Sequence, residues 1–300
     1  MTTDRVDSAL ADRLVAYAAG LRASGAITSP AVEAAFASVE RHRFRYRADE
    51  YRLDDVAIPP NRVLDLIYAN NALLTHTGED GDPPSSSSAP SLMGRMIEAL
   101  HLTHGMRVLE IGAGTGYNAA LIHHITGTDV VTVEAGDHAA AGASAAIRSV
   151  GIDQGVHVIH GDGYDGYPDG GPYDRIIVTC GIAGIPPAWL DQLRSGALIV
   201  APVAHAGVHP IVAVQVGAGE GFIGRVLLWG DFMPAAGNLR PAGLFHHDPS
   251  VDIPARHALC IPDAWPALDQ RPPTRTAMCR SCRRSGAAPT ASRHQRPTVR

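Results

Sequence analysis

Arg107-Val108-Leu109-Glu110-Ile111-Gly112-Ala113-Gly114-Thr115-Gly116-Tyr117 is the stretch on which the fold turns. A short apolar, partly β-branched run enters a Gly-rich turn, and a helical pattern leaves it from Tyr117 to about Ile125. The run is too short for a helix and reads as a buried strand. The same alternation continues downstream: strands at Val130–Val133, Val156–His160, Arg175–Cys180 and Ala197–Val200, with helices at His138–Val150 and around Ala188–Leu193. Ile211–Val216 and Phe222–Leu228 then read as a hairpin turning through Gly217–Gly221. Strands alternating with helices of this length predict a doubly wound, mostly parallel α/β sheet, here of seven strands.

In such a sheet, ligands bind beyond the carboxyl ends of the strands, where the strand order reverses. Gly112, Gly114 and Gly116 allow a tight turn and a close backbone approach. Glu134 ends the second strand 22 residues after Gly112, the spacing of a carboxylate that accepts ribose hydroxyls. Gly161-Asp162-Gly163 closes the third strand, where Asp162 can take an adenine amino group beside Gly163. The glycines run G-x-G-x-G rather than G-x-G-x-x-G, and Glu110 before the turn would repel a phosphate but welcome a cation. S-adenosylmethionine, with an ammonium, a sulfonium and no phosphate, is therefore the expected cofactor. Tyr117 is expected to pack beside the cofactor turn.

Upstream, residues 6–40 carry two amphipathic helical patterns, the second opened by Ser29-Pro30 as cap and first helical residue. Gly78 to Ser91 (GEDGDPPSSSSAPS) has the composition of a loop. The expected organisation is an N-terminal helical, substrate-side region over 1–84, a cofactor-binding domain over 85–240 and an Arg/Pro-rich tail over 241–300 read as disordered. Charge supports the division. The 300 residues sum to −5, yet Arg271–Arg300 carries +8 and the first 270 residues −13. All 25 basic residues are Arg, so Schiff-base lysines and the Walker lysine are excluded. The acidic balance argues against a broad nucleic-acid surface. No apolar run approaches the roughly 18 residues of a membrane span. The opening MTTDRVDSALADR suits neither a signal nor a transit peptide. These readings predict a soluble cytoplasmic protein with no membrane or nucleic-acid partner. Cys279-Arg280-Ser281-Cys282 has knuckle spacing but no second pair, so no metal is expected.

Several segments together resemble the protein-L-isoaspartate O-methyltransferases, enzymes of the class I methyltransferase fold that use S-adenosylmethionine. The matching pieces are S-S-S-A-P at Ser86–Pro90, the Arg107–Tyr117 stretch, T-V-E at Thr132–Glu134 and H-G-D-G-Y-D-G-Y at His160–Tyr167. P-Y-D-R-I-I-V-T at Pro172–Thr179, I-P-P-A-W-L-D-Q-L at Ile185–Leu193 and A-F-A-S-V-E-R-H-R-F at Ala35–Phe44 complete the set. The resemblance implies that Ser88 is the serine of the family's T-I-S-Q-P signature, which lies close to the reacting carboxylate. Ser86 stands where the family has Thr. Ser87 and Ala89 replace Ile and Gln, and the lost Gln bears on strict isoaspartate specificity. Ser88 and Ser86 are thus the candidate catalytic residues, and the implied partner is a protein or peptide bearing an isoaspartyl, Asp or Glu carboxylate.

S-S-S-S-A-P-S-L-M, G-Y-N-A-A-L, P-A-W-L-D-Q-L and F-M-P at Phe232–Pro234 also look like a branch associated with ATP-grasp peptide maturation, whose implied substrate is an acidic side chain of a ribosomally made peptide. Two further classes share the sheet: an NAD-dependent oxidoreductase and a non-catalytic cofactor-binding relative.

Overall fold

Residues 3–44, 58–76, 85–205, 209–217 and 222–240 are described in the computed structural model. The tail 241–300, including Cys279 and Cys282, lies outside them. The N-terminal periodicity forms α1 (Thr3–Ala23) and α2 (Pro30–Ser38). Pro30 opens α2, but the Ser29 side chain does not cap it. Ser29 Oγ instead donates to Glu98 Oε1 at 3.0 Å, and that oxygen also accepts the Thr28 and Ser29 N–H groups at 2.7 and 2.8 Å. Burial opposes ionisation of Glu98, yet these hydrogen bonds prevail and hold its carboxyl below the usual range.

A further helix, α3 (Asn61–Ile67), follows Pro60. The Ser run departs from its loop reading. β1 (Leu73–His76) and β2 (Ser85–Ser87) pair antiparallel, with Leu73 opposite Ser87 and Leu74 opposite Ser86. Composition favours a loop there because serine has weak strand preference. Pairing with β1, which lies outside the serine run, overrides that local preference. α4 (Pro90–Ala99) starts immediately afterwards, with Pro at its first turn.

The remaining elements are β3 (Val108–Ile111), α5 (Tyr117–Thr126), β4 (Val130–Glu134), α6 (Asp137–Ser149) and β5 (Val156–His160). β6 (Tyr173–Val178), α7 (Pro187–Leu190), β7 (Leu193–Pro202), β8 (His209–Val216) and β9 (Phe222–Gly230) follow. Seven strands join in the order β5-β4-β3-β6-β7-β8-β9. β5 through β7 run parallel, and the β8–β9 hairpin is antiparallel. The chain leaves β3 toward β4 and returns on its other side at β6, so the switch point lies between β3 and β6.

Alternation along the strands divides the core. Val108, Val130 and Ile177 cluster with Ile97 of α4, Leu121 of α5 and Phe36 of α2. Leu109, Ile111, Val131 and Ile176 belong to a second cluster that holds Trp189 of α7. Burying a side chain such as Phe36 contributes roughly 2–3 kcal/mol. The described residues of 1–84 are therefore joined to those of 85–240 through a shared core. No helix among the described residues is long and apolar enough to cross a membrane.

Candidate active site

A cavity of about 260 Å³ opens over the switch point. Its floor is the 110–115 turn with Glu134, Asn118 and Gly163; Ser85–Ala89 form one wall, and 231–236 with Leu239 form the other. Glycine is required at two floor positions. Gly112 has φ +98°, and a Cβ there would meet Thr179 Oγ1 at 2.5 Å. Gly114 has φ +53°, and its Cβ would lie 3.4 Å from Ser86 O, so β2 rests directly on the turn. Thr179 Oγ1 donates to Gly112 O at 2.6 Å and pins the turn to the end of β6.

Glu134 braces the same turn. Its Oε2 accepts the Gly114 N–H at 2.8 Å, and Oε1 accepts the Gly136 N–H at 3.1 Å. Each carboxylate oxygen keeps acceptor capacity beyond these bonds.

Glu110 was expected to meet a cation directly, but its two oxygens are engaged internally. Asn118 Nδ2 donates to Oε1 at 2.7 Å and Thr132 Oγ1 to Oε2 at 2.6 Å. The carboxyl sits fully buried beneath the cavity, and burial pushes it up to about 7 against those two bonds, with the Glu134 charge adding to the rise. A carboxyl raised in the folded state favours folding at low pH. That contribution is complete below about 4.5 and is lost as pH rises through about 7. Its size is on the order of 3 kcal/mol. Glu110→Gln should therefore flatten the fall in stability between pH 5 and 8, as read by urea denaturation at each pH. A pH dependence identical to the wild type would show that Glu110 titrates as an ordinary carboxylate.

Asn118 was not singled out in the sequence, yet it completes the floor. Its Oδ1 is buried and has no hydrogen-bond partner among the described residues, leaving an acceptor for a ligand N–H or ammonium. The acidic lining residues are Glu134, Asp231 and Glu110, the last with its carboxyl raised, and no Arg or His stands among the described lining. The cavity thus favours a cationic ligand. The glycine cradle, the orphaned acceptor and this charge balance all fit S-adenosylmethionine.

The structure brings Ser86, Ser88, Glu110, Gly112, Gly114, Glu134 and Gly163 into the lining. The Ser86 and Ser88 hydroxyls have no hydrogen-bond partner among the described residues, and Ser88 O accepts from Arg41 Nη2 at 3.1 Å. Three expected contacts lie elsewhere. Gly116 turns toward Ile147 and Ala143, where its Cβ would sit 3.4–3.5 Å from their side chains. Tyr117 is fully buried with its ring edge-on to Phe36 and Phe44, at centroid distances of 6.4 and 5.4 Å. Asp162 Oδ1 accepts the Tyr164 N–H at 2.9 Å and Oδ2 the Asn238 N–H at 3.0 Å, so this carboxylate secures the far wall instead of lining the cavity. Cys180 does line it, but burial, with Glu134 and Glu110 adding, pushes its thiol up to about 12 and leaves it protonated.

Thr179 and Cys180 could have been found from their place at the end of the strand beside β3. The far wall had only the F-M-P resemblance as a signal. Phe232, Met233 and Pro234 all line the cavity, and Pro234 bridges to Gly181.

Residues 14–239 match the family described as protein-L-isoaspartate(D-aspartate) O-methyltransferase. A protein-L-isoaspartate O-methyltransferase of Methanopyrus kandleri is 35% identical over 214 residues, 71% of this chain and 84% of that one. One from Thermotoga maritima is 40% identical over 142 residues, 47% of this chain and 44% of that one, so the chain matches under half of that relative's length. A solved protein-L-isoaspartate O-methyltransferase superposes with TM-score 0.64 at 32% identity, covering 75% of this chain and 66% of that one. A Plasmodium falciparum structure, solved in complex with S-adenosyl-L-homocysteine, shares the fold with TM-score 0.61 at 15% identity, covering 74% of this chain and 98% of that one.

Proposed function

The chain belongs to the protein-L-isoaspartate O-methyltransferase family, and on that premise we propose that it methylates a side-chain carboxylate, most directly that of an isoaspartyl residue, with S-adenosylmethionine as donor. The observation that carries this reading is that Ser86 and Ser88, whose hydroxyls have no hydrogen-bond partner among the described residues, line the same cavity as the Gly112–Gly114 turn, Glu134 and Asn118.

When bound, S-adenosylmethionine supplies a methyl group activated on a sulfonium. Gly112, Gly114, Glu134 and Gly163 would hold it, with Glu134 accepting ribose hydroxyls and Asn118 Oδ1 accepting the ammonium. A carboxylate with a pKa of about 4 is already ionised at neutral pH, so the acceptor needs no general base. The protein's task is alignment and exclusion of water. Ser88 Oγ donates to the carboxylate oxygen that does not attack, which fixes the angle of the one that does. Ser86 offers a second donor in the same serine run. No Arg or His lines the cavity among the described residues, so the sulfonium of the donor would be the positive charge nearest the acceptor.

The test is methyl transfer to an isoaspartyl peptide beside its Asp counterpart, read by mass. Methylation confined to the isoaspartyl peptide supports the reading. Cofactor binding without transfer to either peptide rejects it. The described lining residues all precede position 240, so a chain ended after Gly243 should bind S-adenosylmethionine within about twofold of the full chain by calorimetry. A large loss of affinity would assign the tail a role at the site.

A further inference from the structure

The geometry points to Arg41 as a positioning residue that sets the serine strand against the cofactor turn, an inference that rests on the methyl-transfer reading above. Arg41 opens the single 3₁₀ turn after α2 and is completely buried. A guanidinium so placed must be held by acceptors on several sides. Its Nη1 donates to Ile67 O at 3.0 Å, at the end of α3. Its Nη2 lies 3.1 Å from Ser88 O, 3.3 Å from Ser87 Oγ and 3.5 Å from Asn71 O. The guanidinium carbon also stands 5.8 Å from the centre of the Tyr117 ring, the first residue of α5 after the glycine turn.

One planar, permanently charged group therefore touches α3, the approach to β1, the serine strand and the base of α5. The serine strand carries the acceptor side of the reaction, and the turn before α5 carries the donor side. Arg41 sets the distance between them without reaching the cavity itself, since it is absent from the lining. In-line transfer is sensitive to such a distance, because a misplacement of about 1 Å costs on the order of 100-fold in rate. Lysine cannot substitute. It keeps the charge but presents a single nitrogen on a flexible stem, so it cannot span Ile67 O and Ser88 O as the rigid fork does.

The experiment compares the full-length wild type with Arg41→Lys, Ser87→Ala, Ser87→Thr and the Arg41→Lys/Ser87→Ala double variant. Each is assayed for kcat and KM toward the isoaspartyl peptide, for the S-adenosylmethionine Kd and for thermal unfolding. Arg41→Lys should lose roughly 10- to 100-fold in kcat per folded molecule, with the cofactor Kd within about threefold. Ser87→Ala should lose less, Ser87→Thr should restore the rate, and the double variant should be no slower than Arg41→Lys. Full kcat in folded Arg41→Lys overturns the inference. So does a parallel loss of kcat and cofactor affinity, or additive losses in the double variant, since a structural or independent role predicts these. If Arg41→Lys does not fold, the serine pair decides: equal rates in Ser87→Ala, Ser87→Thr and wild type overturn it. A wild type that binds cofactor yet methylates no acidic peptide overturns the underlying reading, and the inference with it. An active wild type with a fully active Arg41→Lys overturns the inference alone.

Discussion

Ser88→Ala should lower kcat by roughly 10- to 100-fold, the value of one hydrogen bond to a charged group, and leave the S-adenosylmethionine Kd within about threefold. The split follows from where the two ends of Ser88 point. Its carbonyl is tied to the buried Arg41, so removing the hydroxyl leaves the strand in place. The hydroxyl itself has no hydrogen-bond partner among the described residues, so the loss falls on whatever enters the cavity. Steady-state kinetics on the isoaspartyl peptide, with calorimetry for the cofactor, separates the two effects. Equal losses of turnover and cofactor affinity would reduce Ser88 to a structural part of the wall.

Glu134→Ala should have the opposite signature: a cofactor Kd higher by roughly 100- to 1,000-fold, and a kcat at saturating cofactor much less affected. Two charge-assisted bonds to ribose hydroxyls account for an effect of that order. The structure adds a second cause. Removing the carboxylate also strips the acceptor from the Gly114 and Gly136 N–H groups, so the turn loses its brace together with its ligand. Glu134→Gln retains one acceptor oxygen and should fall between the wild type and Glu134→Ala. An unchanged Kd in Glu134→Ala, measured by calorimetry, would remove Glu134 from the cofactor site.

The motif residues that kept their expected place are those whose role is a backbone matter. Gly112 and Gly114 are needed because the chain turns with positive φ against Thr179 and Ser86, and a G-x-G spacing encodes that requirement locally. Tyr117 and Asn118 show where local reading stops. Neighbours on a helix point about 100° apart, so one of the two faces the aromatic core while the other reaches the cavity. The motif drew attention to Tyr117, whose ring packs on Phe36 and Phe44, while Asn118 supplies the orphaned acceptor. Glu110 was correctly placed at the turn, but the chain does not announce that Asn118 and Thr132 will occupy both its oxygens.

By itself, then, the sequence determined the order of strands and helices from Arg107 onward, the glycine turn and the carboxylate closing the second strand. Periodicity and turn chemistry act between near neighbours, and a linear reading detects them. Only the tertiary structure decided that a serine run with the composition of a linker is a strand lying on the turn. It alone brought residues 231–239 across to form the far wall, and tied Asp162 to that wall through the Asn238 N–H. It also buried Arg41 behind Ser88. These outcomes depend on packing between segments from about 20 to more than 100 residues apart, where shape and hydrogen-bond satisfaction, rather than local preference, select the partner.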